Sequence, residues 1–174
     1  MKKTALYLLL ATLFTACGSI KTYSDFDETL DFSRYQNFAL YNDMDTGLSD
    51  LDEKRFSAAL VSVLEEKDFQ SSEDPDFMIN FYSKVYEENN RNHIGIGIGG
   101  GGSHVGGGIS GGIPINMRKH IMSLTVEFVD ATTNQLFWQG VAEAKFNPDM
   151  PTEERMEFFR KAAEKLLKKY PPEK

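Results

Sequence analysis

Between Gly95 and Gly112, eleven of eighteen residues are glycine (GIGIGGGGSHVGGGISGG). Glycine loses more conformational entropy on ordering than any other residue, so this run does not read as a helix or a strand. A chain interrupted in this way must draw its core from the stretches on either side. Ile94, Ile96 and Ile98 alternate with glycine at the start of the run, as a strand fading into a loop would. The expectation is a glycine-rich loop over residues 95–112 that joins two strands and is dispensable for folding.

The flanking stretches carry clear periods. Within Met117 to Asp130, Met122, Leu124, Val126 and Phe128 alternate with Ser123, Thr125 and Glu127, a strand pattern. Before the run, residues 76–87 place Phe77, Ile79, Phe81 and Val85 on one face. Met78, Asn80, Tyr82, Lys84 and Tyr86 share the other. After the turn Asp130 to Asn134, residues 136–145 put Leu136, Trp138, Gly140, Ala142 and Ala144 on one side. The small residues after Trp138 leave room for a helix to pack closely. Two further strands are expected at residues 19–26 and 34–41.

Two stretches have the helical period instead. From Ser49 or Asp50, a stripe runs through Phe56, Ala59, Leu60, Val63 and Leu64, and Asp50 with Glu53 has the spacing of a capping box. This helix should end near residues 67–69, with a polar connection over 70–75. The last helix opens at residues 148–152. Glu153 and Glu154 complement its positive end, and Lys165, Lys168 and Lys169 its negative end. Met156, Phe159, Ala163, Leu166 and Tyr170 form its stripe, and Pro171 and Pro172 stop it. The order is β-β-α-β-(Gly-rich loop)-β-β-α. It predicts an α+β, two-layer sandwich: a largely antiparallel sheet with two helices on one face.

The N-terminus sets the expected location. Lys2 and Lys3 precede the apolar run Ala5 to Phe14, which is too short to span a bilayer as a permanent helix. Ala16 and Cys17, with Gly18 and Ser19 behind, resemble a bacterial lipobox. Phe14 stands where such boxes usually carry an aliphatic residue. The resemblance implies a signal peptide over residues 1–16, cleavage before Cys17, and acyl chains such as palmitate on the cysteine. Residues 17–174 then form one lipoprotein domain. Its membrane contact is the lipid on Cys17. The expected place is the cell envelope: the periplasmic side of the outer membrane or the cell surface.

Composition narrows the function. Cleavage removes two lysines and no acid, so the formal charge moves from −7 to −9. That argues against nucleic acid and against an electrostatic grip on anionic lipid, since both demand clustered Lys and Arg. Cys17 is the only cysteine, so a lipidated chain has no disulfide, thiolate metal site or cysteine nucleophile. Stability has to come from packing.

Several segments together suggest a family. They are Tyr23-Ser-Asp25-Phe26-Asp27, Asp31-Phe32-Ser33-x-Tyr35-x-x-Phe38, Pro75-Asp76-Phe77, Asp130-x-x-Thr133, Leu136-x-Trp138-x-Gly140-x-Ala142 and Tyr170-Pro171-Pro172. In this order and spacing they resemble the bacterial lipoproteins built on the domain of unknown function 4136. The resemblance implies an envelope lipoprotein with a glycine-rich insert before its last two strands. It supplies no catalytic residues.

Chemical motifs are matched in letters only. Gly108-Ile-Ser110-Gly-Gly112 fits G-x-S-x-G without the strand and helix that a nucleophile elbow needs. Gly97-Ile-Gly99-Gly-Gly-Gly102 fits G-x-G-x-x-G without a βαβ unit. Asp43-Met-Asp45-Thr-Gly47 begins like a calcium loop, with Asp50 and Asp52 as nearby oxygen ligands, but has Gly and Leu where a ligand and the turn glycine belong, and reads as an acidic helix-entry loop. Two of the histidines His93, His104 and His120 lie in or beside the glycine run. No enzyme, cofactor or metal site is expected. The expected function is a membrane-anchored, non-enzymatic module that contacts an envelope protein or serves a structural role. The alternative is a binder of a small apolar ligand or lipid held between sheet and helices.

Overall fold

The computed structural model describes residues 20–90 and 117–172. The signal-like stretch, Cys17 and the glycine run lie outside the described residues. The strands are β1 (Lys21–Phe26), β2 (Asn37–Leu40), β3 (Gln70–Ser71), β4 (Phe77–Asn90), β5 (Met117–Asp130) and β6 (Leu136–Lys145). The helices among the described residues are α1 (Asp50–Glu65) and α2 (Thr152–Leu167), with a 3-10 turn at Phe32–Arg34. The strands form one sheet in the order β1-β6-β5-β4-β2-β3. Both helices bury their stripes against one face of it. Phe56 of α1 meets Phe81 edge-on at 5.1 Å and Phe159 of α2 at 5.7 Å. This is the expected α+β two-layer arrangement.

Two features of the sheet depart from the sequence reading. Strand β2 pairs with β4 in parallel, Phe38 opposite Phe77. Helix α1 lies between them in the chain, and a crossover of this kind returns the chain in the same direction. The polar connection after α1 also contributes Gln70 and Ser71 as a two-residue parallel edge on β2. Helix α1 is capped by Ser49, whose hydroxyl accepts from the Asp52 N–H at 3.3 Å, so Asp50 falls inside the helix rather than at its cap.

The core is aromatic. Trp138 is 1% exposed, 4.6 Å from Phe128 and 5.2 Å from Tyr170 between ring centres. Gly140 has the predicted role in a specific form. A Cβ there would stand 2.5 Å from the tip of the Trp138 indole and 2.9 Å from Leu166 of α2. The absent side chain lets the indole lie flat and the helix close over it.

Three residues expected inside are exposed: Val85, Leu136 and Met156. For Leu136 the cause is a β-bulge. Phe128 faces Trp138 while Val129 faces Leu136, so Phe137 is an extra residue in β6. The bulge turns Phe137 inward, where it stacks on Tyr35 at 4.0 Å, and turns Leu136 outward. Val85 lies on the part of β4 that passes beyond the helices. Met156 sits on the flank of α2 that faces α1 at the surface.

The Tyr170 hydroxyl is buried with no hydrogen-bond partner, and burial raises its pKa. An unsatisfied buried hydroxyl costs about 1–3 kcal/mol. Tyr170→Phe keeps the ring and removes that cost, so it should stabilise the domain by about 1 kcal/mol. A chemical melt checks this; a loss of stability would mean the hydroxyl has a partner.

Candidate functional site

A trough lies between α1 and α2 on the solvent side, with a volume of about 680 Å³. Leu51, Ala58 and Ala59 form its apolar lining from α1, and Met156 from α2. Leu51 and Met156 are both exposed at its rim. Lys54 and Arg55 mark the α1 wall, and Glu153 and Glu157 the α2 wall. Arg160, which donates to Glu157 at 2.8 Å and also pairs with Glu164, holds the Glu157 carboxyl down to about 2, with Lys161 assisting.

Beneath the trough, Asp52 joins the two helices. Its carboxylate accepts from Arg55 at 2.7 Å and from Arg155 at 2.7 Å, and its side chain is nearly buried. Arg155 also donates to the Pro148 carbonyl and lies over the Phe146 ring. A second buried acid, Asp130, organises the far end of the sheet. One carboxylate oxygen accepts from the Thr132 and Thr133 N–H groups at 2.9 and 2.8 Å. The other accepts from the Tyr35 hydroxyl and from Arg34, each at 2.9 Å.

Burial alone would raise the Asp130 carboxyl. The hydrogen bonds from Thr133, Tyr35 and Thr132 outweigh it and leave the group below its usual 3.8. Burial, with the same hydrogen bond and the Asp130 charge, pushes Tyr35 up to about 12. A depressed carboxylate pKa stabilises the fold above the unfolded-state value, and that contribution is lost as pH falls through the folded one. Wild type should therefore lose unfolding free energy faster than Asp130→Asn as pH drops below 3.8. Urea melts between pH 6 and pH 3 check this, and parallel curves would contradict it.

The sequence candidates fall differently. Cys17, His93, His104 and both glycine motifs lie outside the described residues. The calcium-like loop is a packing device. The Thr46 carbonyl accepts from the Ser83 N–H at 2.7 Å, and the Thr46 hydroxyl donates to Glu53 at 2.9 Å. Gly47 has φ +63°, and a Cβ there would meet the Ser83 carbonyl at 2.9 Å. His120 is half-buried in β5, opposite Glu87. Among the described residues, no group of three His, Cys, Asp or Glu could hold a metal ion. No described helix is long and apolar enough to cross a membrane.

The sequence does not reveal the pairing of Asp52 with Arg55 and Arg155, nor the trough. One signal was present: Leu51, Lys54, Arg55, Ala58 and Ser62 form a second stripe on α1, beside the buried one.

A family model for a domain of unknown function, DUF4136, matches residues 22–172. The chain belongs to that family. A DUF4136 domain is thus what the six-stranded sheet and two helices represent. A PDZ domain protein from Parabacteroides distasonis is similar in fold, with a TM-score of 0.53 at 12% identity. That match covers 98% of this chain, which spans 41% of the length of that protein. Two PelC dodecamer structures from Paraburkholderia phytofirmans align with TM-scores of 0.45 and 0.49 at 8% and 7% identity. Each alignment covers 86% of this chain and 95% of theirs. A comparison with curated proteins finds no match.

Proposed function

We propose that this DUF4136 chain is a lipid-anchored lipoprotein of the bacterial cell envelope that works through contacts with another protein and performs no catalysis. The observation that carries the reading is the distribution of apolar surface. The space between sheet and helices is filled by Phe56, Phe81, Phe128, Trp138, Phe159 and Tyr170, all buried. On the two helices, the large apolar residues left exposed, Leu51 and Met156, stand at the rim of an outer trough. Sites for small ligands enclose most of the ligand's surface. A trough floored by two helices and open along its length suits a protein ridge better. A partner helix with acids toward α1 and bases toward α2 would complement its walls.

The anchor is Cys17. Only Gly18, Ser19 and Ile20 separate it from β1, so the domain would sit close to the membrane. Two long acyl chains anchor almost irreversibly, since each buried methylene contributes about 0.8 kcal/mol. Cys17→Ala should move the protein out of the membrane fraction, or leave it uncleaved and longer. Retention at the wild-type length after fractionation would contradict lipidation. For the contact surface, Leu51→Glu with Met156→Glu should abolish a crosslink formed from a photo-reactive residue at Ala58, with the melting temperature unchanged. An undiminished crosslink to the same protein would place the contact elsewhere.

A further inference from the structure

We propose that the outer arm of β4 and β5, with the sheet end beneath it, rests on the phospholipid surface of the membrane that holds the anchor. This rests on the proposed lipidation of Cys17 and adds an orientation and a second membrane contact. The register supplies the geometry. Lys21, where β1 begins, faces Glu143, which faces Ser123, which faces Lys84. Asn90 and Met117 pair at the outer tip of the hairpin, on the same end of the sheet. From Ser123 to Met117 is six residues, about 20 Å at roughly 3.3 Å per residue. Cys17 precedes Lys21 by four residues, a reach of no more than about 14 Å. The arm therefore extends at least as far as the tether does. A domain standing on that tether with its strands along the membrane normal brings the arm to the headgroups.

The side chains at this end suit such a surface. Tyr23, Val85 and Tyr86 are 59%, 52% and 44% exposed, and are half of the large apolar residues exposed among the described ones. Exposed Lys145 shares the row of Tyr86, and exposed Lys21 and Lys84 end the row of Glu143 two rows further in. Tyrosine and lysine together are what the lipid–water boundary selects, because each presents an apolar body and a polar tip. The opposite end differs. There the loops carry Asp27, Glu28, Asp31, Glu73, Asp74 and Asp76, which anionic lipid repels. Both helices also start at the arm's end. Their acids, among them Asp50 and Glu153, hold that side of the domain off anionic headgroups, whereas the arm's acids Glu87 and Glu88 stand in register with His120 and Lys119.

The test uses the full lipidated chain in vesicles of phosphatidylethanolamine and phosphatidylglycerol. Lipidation consumes Cys17, so an introduced cysteine is the sole free thiol. Tyr86→Cys, Val85→Cys and, at the far end, Leu136→Cys each carry an environment-sensitive fluorophore, with folding verified by a melt. Vesicles doped with a headgroup nitroxide lipid should quench the label at Tyr86→Cys and Val85→Cys several-fold more than at Leu136→Cys, with a blue-shifted emission. Protein that floats with the vesicles but shows equal quenching at both ends overturns this inference and leaves the anchor standing. Protein that does not float overturns the anchor, and this inference with it.

Discussion

Trp138→Ala should destabilise the domain by about 3–5 kcal/mol, the range for removing a large aromatic from a packed interior. The indole is held between Phe128, Tyr170 and the bare backbone of Gly140, with Leu166 closing from α2. Alanine would leave a cavity lined by rings and by the helix. These neighbours are fixed by the sheet and cannot collapse far into it. A typical domain is stable by about 5–15 kcal/mol, so this one change removes a large share. Urea unfolding would register it as a lower midpoint with an unchanged slope. A loss below about 1 kcal/mol would contradict a core position for Trp138.

Asp52→Ala should cost about 3 kcal/mol, although the residue lies on a helix and reads as a surface acid in the sequence. The carboxylate is the only group placed between Arg55 and Arg155, at 2.7 Å from each. Without it, two guanidinium groups face one another in a partly dry cleft. Breaking a buried ion pair typically costs about 3–5 kcal/mol. The arginines remain about one-fifth exposed, which places the effect at the low end of that range. A double-mutant cycle with Arg155→Ala should give a coupling of at least about 1 kcal/mol, because the two side chains share one network. Additive effects would mean that the helices are held by their apolar stripes alone. The same variant should weaken partner crosslinking across the trough, since Asp52 sets the spacing of its walls.

Much of the architecture was legible in the sequence because local periodicity reports which residues share a face. The alternation in β5, the stripe of α1 and the small residues after Trp138 each have one low-energy arrangement, and the structure adopts it. The bonding at Asp130 was legible only in part. A turn that uses its own carboxylate is a local matter, and Thr132 and Thr133 supply it. Arg34 and Tyr35 come from 96 and 95 residues away.

The candidate trough was not legible for the same reason. Its rim is formed by Leu51 and Met156, on helices whose neighbourhood exists only after the sheet has formed.

What the sequence by itself determined is the family, the two helices and the longer strands, with most of their buried faces. What only the tertiary structure decided is where each face stops being covered. Helix α1 has 16 residues, about 24 Å at 1.5 Å each, whereas β4 and β5 have 14 residues each, about 46 Å at 3.3 Å each. A strand that outruns its helix must expose its last inward-facing residues, and Val85 is one of them. The sequence period cannot mark that limit, because it depends on the length of another element.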